Sequence, residues 1–573
     1  MVMPMDKRVF KIQQVKELAF VLVTIILICF LSGHIFVRLD LTADKRYTLS
    51  TATRDILGEL DDVVHVRVYL EGDLPVGFRR LRNATQELLD EFRVVAGSHI
   101  HYEFIDPVDI DDQGVRDDLH QQLYNKGLRP TNIEIAERGG GRSQKIIFPG
   151  ALVSYKGMEM PVNLLKNNPA LPADQNLNNS IQSLEYELIS SFYNLAGPET
   201  RKVAFLEGHG ELDELLVAGI SGAIARYYDI YRGRIDESDL QSLDDYHAVI
   251  IAKPVRPFTE TEKYVIDQYI MRGGKVMWFI DPVAIDLDSL TYQSEAIALI
   301  NDLNIDDQLF RYGVRINPNL VMDMHCLLIP LNVALAREQA RFVPVPWYFS
   351  PLLAGNDEHP VTRGLNYVKA EFASVIDTVG SDPAVRSEVL LRTSSETRVV
   401  NAPMMVSLEM ARQEPDRREF NNPHQPVAVM LEGEFTSVFA NRIISGIIGR
   451  EDPGFRESGQ NTRMLVVADG DIIRNDVTVE GNRPEPLPLG YDRYSGQTFG
   501  NREFVLNALN YLIDESGLME LRTRELQLRL LDRARVREQR GMWQIINLGV
   551  PLAIVIALGL FYSWQRKRRF ATG

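Results

Sequence analysis

The sequence predicts an α/β protein in which two α/β domains lie between two transmembrane helices. Three observations carry this. Runs of twenty residues without Asp, Glu, Lys or Arg sit near both ends, at 18–37 and 545–564, and about 20 helical residues at roughly 1.5 Å each span a bilayer core. A strand, helix, strand pattern occupies residues 63–107. Beyond residue 198, short and nearly all-apolar strands alternate with amphipathic stretches, the pattern of a parallel sheet covered on both faces. A chain of 573 residues, 45% hydrophobic, is long enough for several cores.

Residues 1–17 carry Lys7, Arg8, Lys11 and Lys16, and the tail 565–573 carries Arg566, Lys567, Arg568 and Arg569. By the positive-inside rule both ends are cytoplasmic and residues 38–544 lie on the far side. A cleaved signal peptide is the competing reading of residues 1–40. The apolar run is too long for one, and no Ala-x-Ala-like site follows it.

In the first outer domain, 38–197, Ser50 or Thr51 is placed to cap a short helix. VVHVRVYL (63–70) alternates at the strand period, 82–95 is helical with Leu81, Leu88, Leu89 and Phe92 on one side, and IHYEFIDP (100–107) is again a strand. The outline is thioredoxin-like. The two cysteines, Cys29 in the first apolar run and Cys326, form no Cys-x-x-Cys, so thiol redox chemistry is excluded. RGGGR (138–142) reads as a hairpin tip, 166–180 as a loop and 181–195 as a helix; Gly197-Pro198 marks the boundary.

The second domain, 198–515, has strands at RKVAFL, HAVIIA (247–252), KVMWFI (275–280) and within MLVVADGD (464–471), with helices expected from Glu211 and Thr259. FIDP ends a strand twice, at 104–107 and 279–282, with nothing else repeated around it.

In an open parallel sheet ligands bind beyond the carboxyl ends of the strands. Glu207, His209, Lys253, Asp281 and Asp469 all fall there, so a crevice of mixed charge is the candidate binding site, centred on FLEGHGELDELL (205–216). The competing reading is structural: the glycines permit a tight turn, while Glu211 and Asp213 meet the positive end of the next helix. Dinucleotide binding fails on spacing, because Asp213 stands where the third glycine of G-x-G-x-x-G belongs. No phosphate-binding G-x-x-x-x-G-K-[ST], H-E-x-x-H or G-x-S-x-G occurs, so neither a metal nor a cofactor is expected. His325-Cys326 reads as a buried structural pair, and VPVPWYFSPLL (343–353) as a loop packed over the sheet. A net charge of −16, from 62 basic and 78 acidic residues, argues against nucleic acid.

LDLTADKRYTLS, VRVYLEGDLPVGFRRLRNATQELLDEF, EGHGE, YHAVIIAKPVRPFTETEKYVIDQYIMRGGKVMWFIDP and GNREFVLNALNYL together resemble the GldG family, gliding-motility-associated auxiliary components of ABC transporters. The resemblance implies a bacterial inner-membrane protein, in bacteria of the Bacteroidetes type, with its bulk in the periplasm. It implies a separate multi-spanning permease and a cytoplasmic ATPase as partners, and is compatible with a homo-oligomer. It also makes the second domain similar to the class I glutamine-amidotransferase-like fold without the catalytic cysteine. The expectation is a non-enzymatic interaction or substrate-binding module. The alternative is a membrane-anchored periplasmic hydrolase using Glu207, His209 and Asp281.

Residues 516–544 read as a juxtamembrane helix. On an ideal helix Arg522, Arg529, Arg533, Arg537 and Arg540 fall within an arc of roughly 80°, a stripe suited to acidic groups on the permease or to anionic headgroups.

Overall fold

The computed structural model describes residues 19–20, 22–24, 48–523 and 539–570, except 110–111, 137–141, 167, 169–170, 198–200, 333–338, 381, 414, 450–451 and 481–482. The chain divides into two units, Met1–Arg524 and Glu525–Gly573.

In the first unit the Ser50 side chain caps the helix Thr51–Gly58, accepting from the Thr53 amide as the sequence predicts. Val64–Val68 pairs in parallel with Ile100–Phe104 and antiparallel with Gly150–Tyr155, which Met158–Asn163 extends. The helices Val76–Ala96 and Ala173–Ala196 close this core with Leu81, Leu89, Leu188 and Ile189, and Phe92 meets Phe192 edge-on at 5.7 Å. The second helix starts at Ala173, inside the predicted loop. Its Asn176 turns inward, accepting from Asn168 N and donating to the Asn168 and Leu171 carbonyls. An Asn-rich stretch therefore folds as helix because its amides satisfy the neighbouring loop. Thr131–Ala136 and Arg142–Ile147 form the predicted hairpin; residues 137–141 at its tip lie outside the described residues.

A ten-stranded sheet follows, running Cys326–Asn332, Phe342–Gly355, Val385–Arg392, Pro426–Thr436, Ser458–Val467, Val276–Phe279, Ala248–Ala252, Lys202–Leu206, Asp229–Gly233, with Val368–Lys369 beside Phe342–Gly355. From Ser458–Val467 to Asp229–Gly233 all pairings are parallel. The central segments of this stretch, 464–467, Val276–Phe279, Ala248–Ala252 and 203–206, are buried on both faces, so alternate residues feed two cores: Phe205, Ile250, Met277 and Leu465 on one side, Val249, Ile251, Trp278 and Val466 on the other.

The other half of the sheet is antiparallel, and there the expected wholly parallel sheet gives way to a mixed one. The predicted loop 343–353 lies within the strand Phe342–Gly355. Its prolines misled because they sit where the strand has a sheet neighbour on one side: Pro344 and Pro346 face Pro330 and Leu328, while Val385–Arg392 is met only by Ala354 and Gly355. Trp347 and Phe349 are fully buried against Phe372. The expected buried His325-Cys326 pair is also corrected. His325 lies exposed in the bend between the strands Asn319–Asp323 and Cys326–Asn332, and Cys326, which opens the second of them, is half-buried. Burial pushes the Cys326 thiol up to about 12.

The second unit holds the helix Arg540–Phe570, of which Arg540–Gln565 is long and apolar enough to cross a membrane. Pro551 lies inside it. The first predicted span falls outside the described residues except for 19–20 and 22–24, which are helical. Of the predicted juxtamembrane helix, Leu518–Thr523 forms a 3-10 turn and Arg540 opens the terminal helix; Arg529, Arg533 and Arg537 lie outside the described residues.

Candidate functional site

Lys253, Asp281 and Asp469 follow three adjacent parallel strands and so emerge at one sheet edge. The Lys253 ammonium lies 3.0 Å from Asp281 Oδ2 and 2.5 Å from Asp471 Oδ2. Asp281 Oδ1 accepts from the Gly470 amide. Asp469 caps the following 3-10 turn by accepting from Asp471 N at 2.7 Å, and its other oxygen accepts from Glu371 N at 2.7 Å. Arg474 Nη1 approaches Asp471 at 3.3 Å. Lys253 takes a left-handed φ of 56°, and a Cβ on Gly470 would lie 2.6 Å from the lysine stem. The glycine is what lets the stem through.

Charge is unevenly held in this cluster. Burial, then Asp471 and Asp281, drives the Asp469 carboxyl well above the usual range, and burial likewise raises Asp281. Burial, then Asp471, raises Glu371 to about 7. Burial opposes charge on Asp471 as well, but Lys253 and Arg474 outweigh it and hold that carboxyl low. Lys253 is raised because Asp281 and Asp471 outweigh its own burial. The three aspartates offer oxygens within 4.8 Å of one another, a spacing that could receive a cation. The Lys253 ammonium already bridges two of them and supplies the compensating charge, so the donor set does not fit a metal well.

Glu207 and His209 have other partners. Glu207 pairs with Arg232 at 2.7 Å, and Arg232 also donates to the Leu212 carbonyl. His209, 4% exposed, stacks on Phe258 at 3.7 Å, with Nδ1 3.0 Å from Glu211 and Nε2 3.1 Å from Glu262. Burial disfavours its charge, but the bonds to Glu211 and Glu262 prevail and raise the imidazole above its ordinary value. The helix expected from Glu211 begins at Ala218 instead. Glu211 is taken by the His209 ring and amide, and Asp213 accepts from Leu216 N, local bonds that compete with helix.

The predicted crevice therefore splits: Lys253, Asp281 and Asp469 converge, while Glu207 and His209 belong to separate pairings. Sequence reasoning missed Asp471, Arg474, Glu371 and Glu262. The DGD of MLVVADGD was a usable signal for Asp471; Glu371 arrives from a distant segment with none. Arg522 packs over the Tyr186 ring at 5.6 Å and donates to the Arg363 carbonyl.

These features define an α/β scaffold whose strand-end polar residues are bonded chiefly to one another. Residues 200–508 match the family ABC_transp_aux, described as an ABC-type uncharacterized transport system, and the chain belongs to this family of auxiliary transport components. Residues 43–154 match a second family, described as a domain of unknown function (DUF7088). No curated protein matches the chain. Among solved structures it is similar to the mmIFT52 N-terminal domain, at 12% identity over 54% of this chain and 96% of that chain, TM-score 0.30. It is also similar to a ThuA-like protein from Parabacteroides merdae, at 11% identity over 55% and 90%, TM-score 0.26. Likeness at these TM-scores assigns no fold.

Proposed function

We propose that the chain is a non-enzymatic auxiliary subunit of an ABC transporter complex associated with gliding motility, acting as an interaction or substrate-binding module. Two spans hold it in the inner membrane, with a smaller domain at 38–197 and a larger one at 198–515 in the periplasm. A cytoplasmic ATPase and a multi-spanning permease are its partners. The family match supports the transport role. The observation that carries the non-enzymatic reading is the Lys253–Asp281–Asp471 bridge: the acid and base groups at the sheet edge are spent on each other. A hydrolase needs a nucleophile or base poised towards substrate, whereas Glu207, His209 and Asp281 each hold a different internal partner.

We also propose that the segment before the last helix couples membrane and outer domains. Leu518 and Met519 are buried, Met519 lies 2.9 Å from the Tyr186 hydroxyl, and Arg522 covers the same ring. Movement of the segment would reach the core through these contacts.

Purification of the full chain from native membranes in mild detergent tests the assignment. An ATPase and a permease should co-purify in constant ratio. Recovery of the chain alone would overturn it, and hydrolysis of an ester or peptide substrate that disappears in Asp281→Asn would replace it with an enzymatic function.

A further inference from the structure

Two imidazoles lie side by side on the open face of the small sheet. The strands Val64–Val68 and Ile100–Phe104 run parallel, with His65 directly opposite His101. Val64, Val66 and Ile100 point into the core, so alternation along each strand turns both histidines outward, and both are exposed. Their rings stack with centroids 5.7 Å apart and planes 22° from parallel. Among the described residues neither ring takes part in a hydrogen bond or an ion pair.

An ion held by two histidine nitrogens at about 2.0–2.1 Å each, with a tetrahedral angle between them, sets the ring centroids roughly 5–6 Å apart. The pair has that separation. Histidine χ2 is a broad torsion, so rotation of two exposed rings aims one nitrogen of each at a shared point without moving the backbone. The surrounding charge suits a cation. Glu103 lies on the same face, two residues beyond His101, and is exposed. Arg67, opposite Glu103 on the neighbouring strand, is paired with Glu159, which also holds Lys126. Imidazole is a good ligand for zinc, nickel and copper, whereas magnesium and calcium take oxygen donors.

We propose that His65 and His101 chelate one divalent transition-metal ion of the zinc, nickel and copper class, with water in the remaining positions. Ile100–Phe104 is an edge strand of its sheet, so the bound ion fastens that edge to its neighbour. The two histidines are distant in sequence, and no short ligand motif announces the site.

The test uses the full chain in detergent micelles, without a histidine tag, titrated with zinc chloride and separately with nickel chloride, and followed by calorimetry and thermal unfolding. Either ion should raise Tm saturably. His65→Ala and His101→Ala should each weaken binding by about tenfold or more, at least the effect of losing a bond that supports a ligand. Both positions are exposed, so the metal-free variants should melt as the wild type does, which separates lost binding from lost folding. His325→Ala removes an exposed histidine elsewhere and should bind as the wild type does. Magnesium should give no Tm shift that depends on His65 or His101. No binding of zinc or nickel, binding that survives both substitutions, or an equal loss in His325→Ala overturns the proposal.

Discussion

His209 Nε2 lies 3.1 Å from Glu262 Oε2, which ties the turn after one strand to the first turn of a helix some fifty residues on. Glu262 is also the reciprocal partner in the capping box of Thr259, and the His209 carbonyl accepts from Val255 and Arg256. The histidine acts as a latch between two loops at the sheet edge. His209→Ala should therefore destabilise the fold by about 2–3 kcal/mol, the scale of lost charge-assisted hydrogen bonds, read by urea unfolding. The pH dependence has a definite sign: a histidine raised in the folded state contributes fully below its unfolded value of about 6.5 and loses that contribution as pH rises through its folded value. A wild-type excess over His209→Ala that grew with rising pH would refute the latch.

Gly210 has φ +76°, and a Cβ there would lie 2.5 Å from Val255 Cγ2. Gly210→Val should cost roughly 2–6 kcal/mol from strain and overpacking. Gly222, with nothing within 4 Å of its Cβ position, is the control: Gly222→Ala should be neutral or stabilise by about 0.4–1 kcal/mol. Equal behaviour of the two in a thermal melt would contradict the turn geometry.

Lys253→Met leaves Asp281 and Asp471 without their shared cation and should cost about 3–5 kcal/mol near neutral pH. The loss should shrink in acid as the carboxyls take up protons. Glu371 has the opposite design: an acid raised to about 7 binds its proton more tightly folded than unfolded, so its contribution falls as pH rises from about 4.5 towards 7. Glu371→Gln should flatten that slope in a Tm-against-pH series and raise Tm at pH 7.5. A slope unchanged by the substitution would assign it to other groups.

Topology is testable with reporters fused after Gly517 and after Gly573. The two-span arrangement requires the first to report the periplasm and the second the cytoplasm. The same compartment for both would leave the flanking lysines and arginines without the role assigned to them.

Coupling is testable by inserting Gly-Gly-Ser-Gly near Arg535, between the segment docked on Tyr186 and the last helix. Transport or motility should be lost while the protein still reaches the membrane. Full activity would reduce the connection to a tether.

Periodicity and composition by themselves determined the α/β class, the parallel strands Lys202–Leu206, Ala248–Ala252 and Val276–Phe279, the Ser50 cap, the helix that starts at Thr259, and the apolar terminal helix. Each rests on residues close in sequence, where local sterics and hydrogen bonding act directly. Convergence of Lys253, Asp281 and Asp469 was also legible, because parallel strands deliver their ends to one edge. The tertiary structure alone decided the partners. Glu262 against His209, Glu371 against Asp469, Arg474 beside the Lys253–Asp471 pair and the proline-bearing strand Phe342–Gly355 depend on segments far apart in sequence. Whether a carboxylate there is paired or protonated is set by burial and by charges a few ångströms away, quantities that no local spacing encodes.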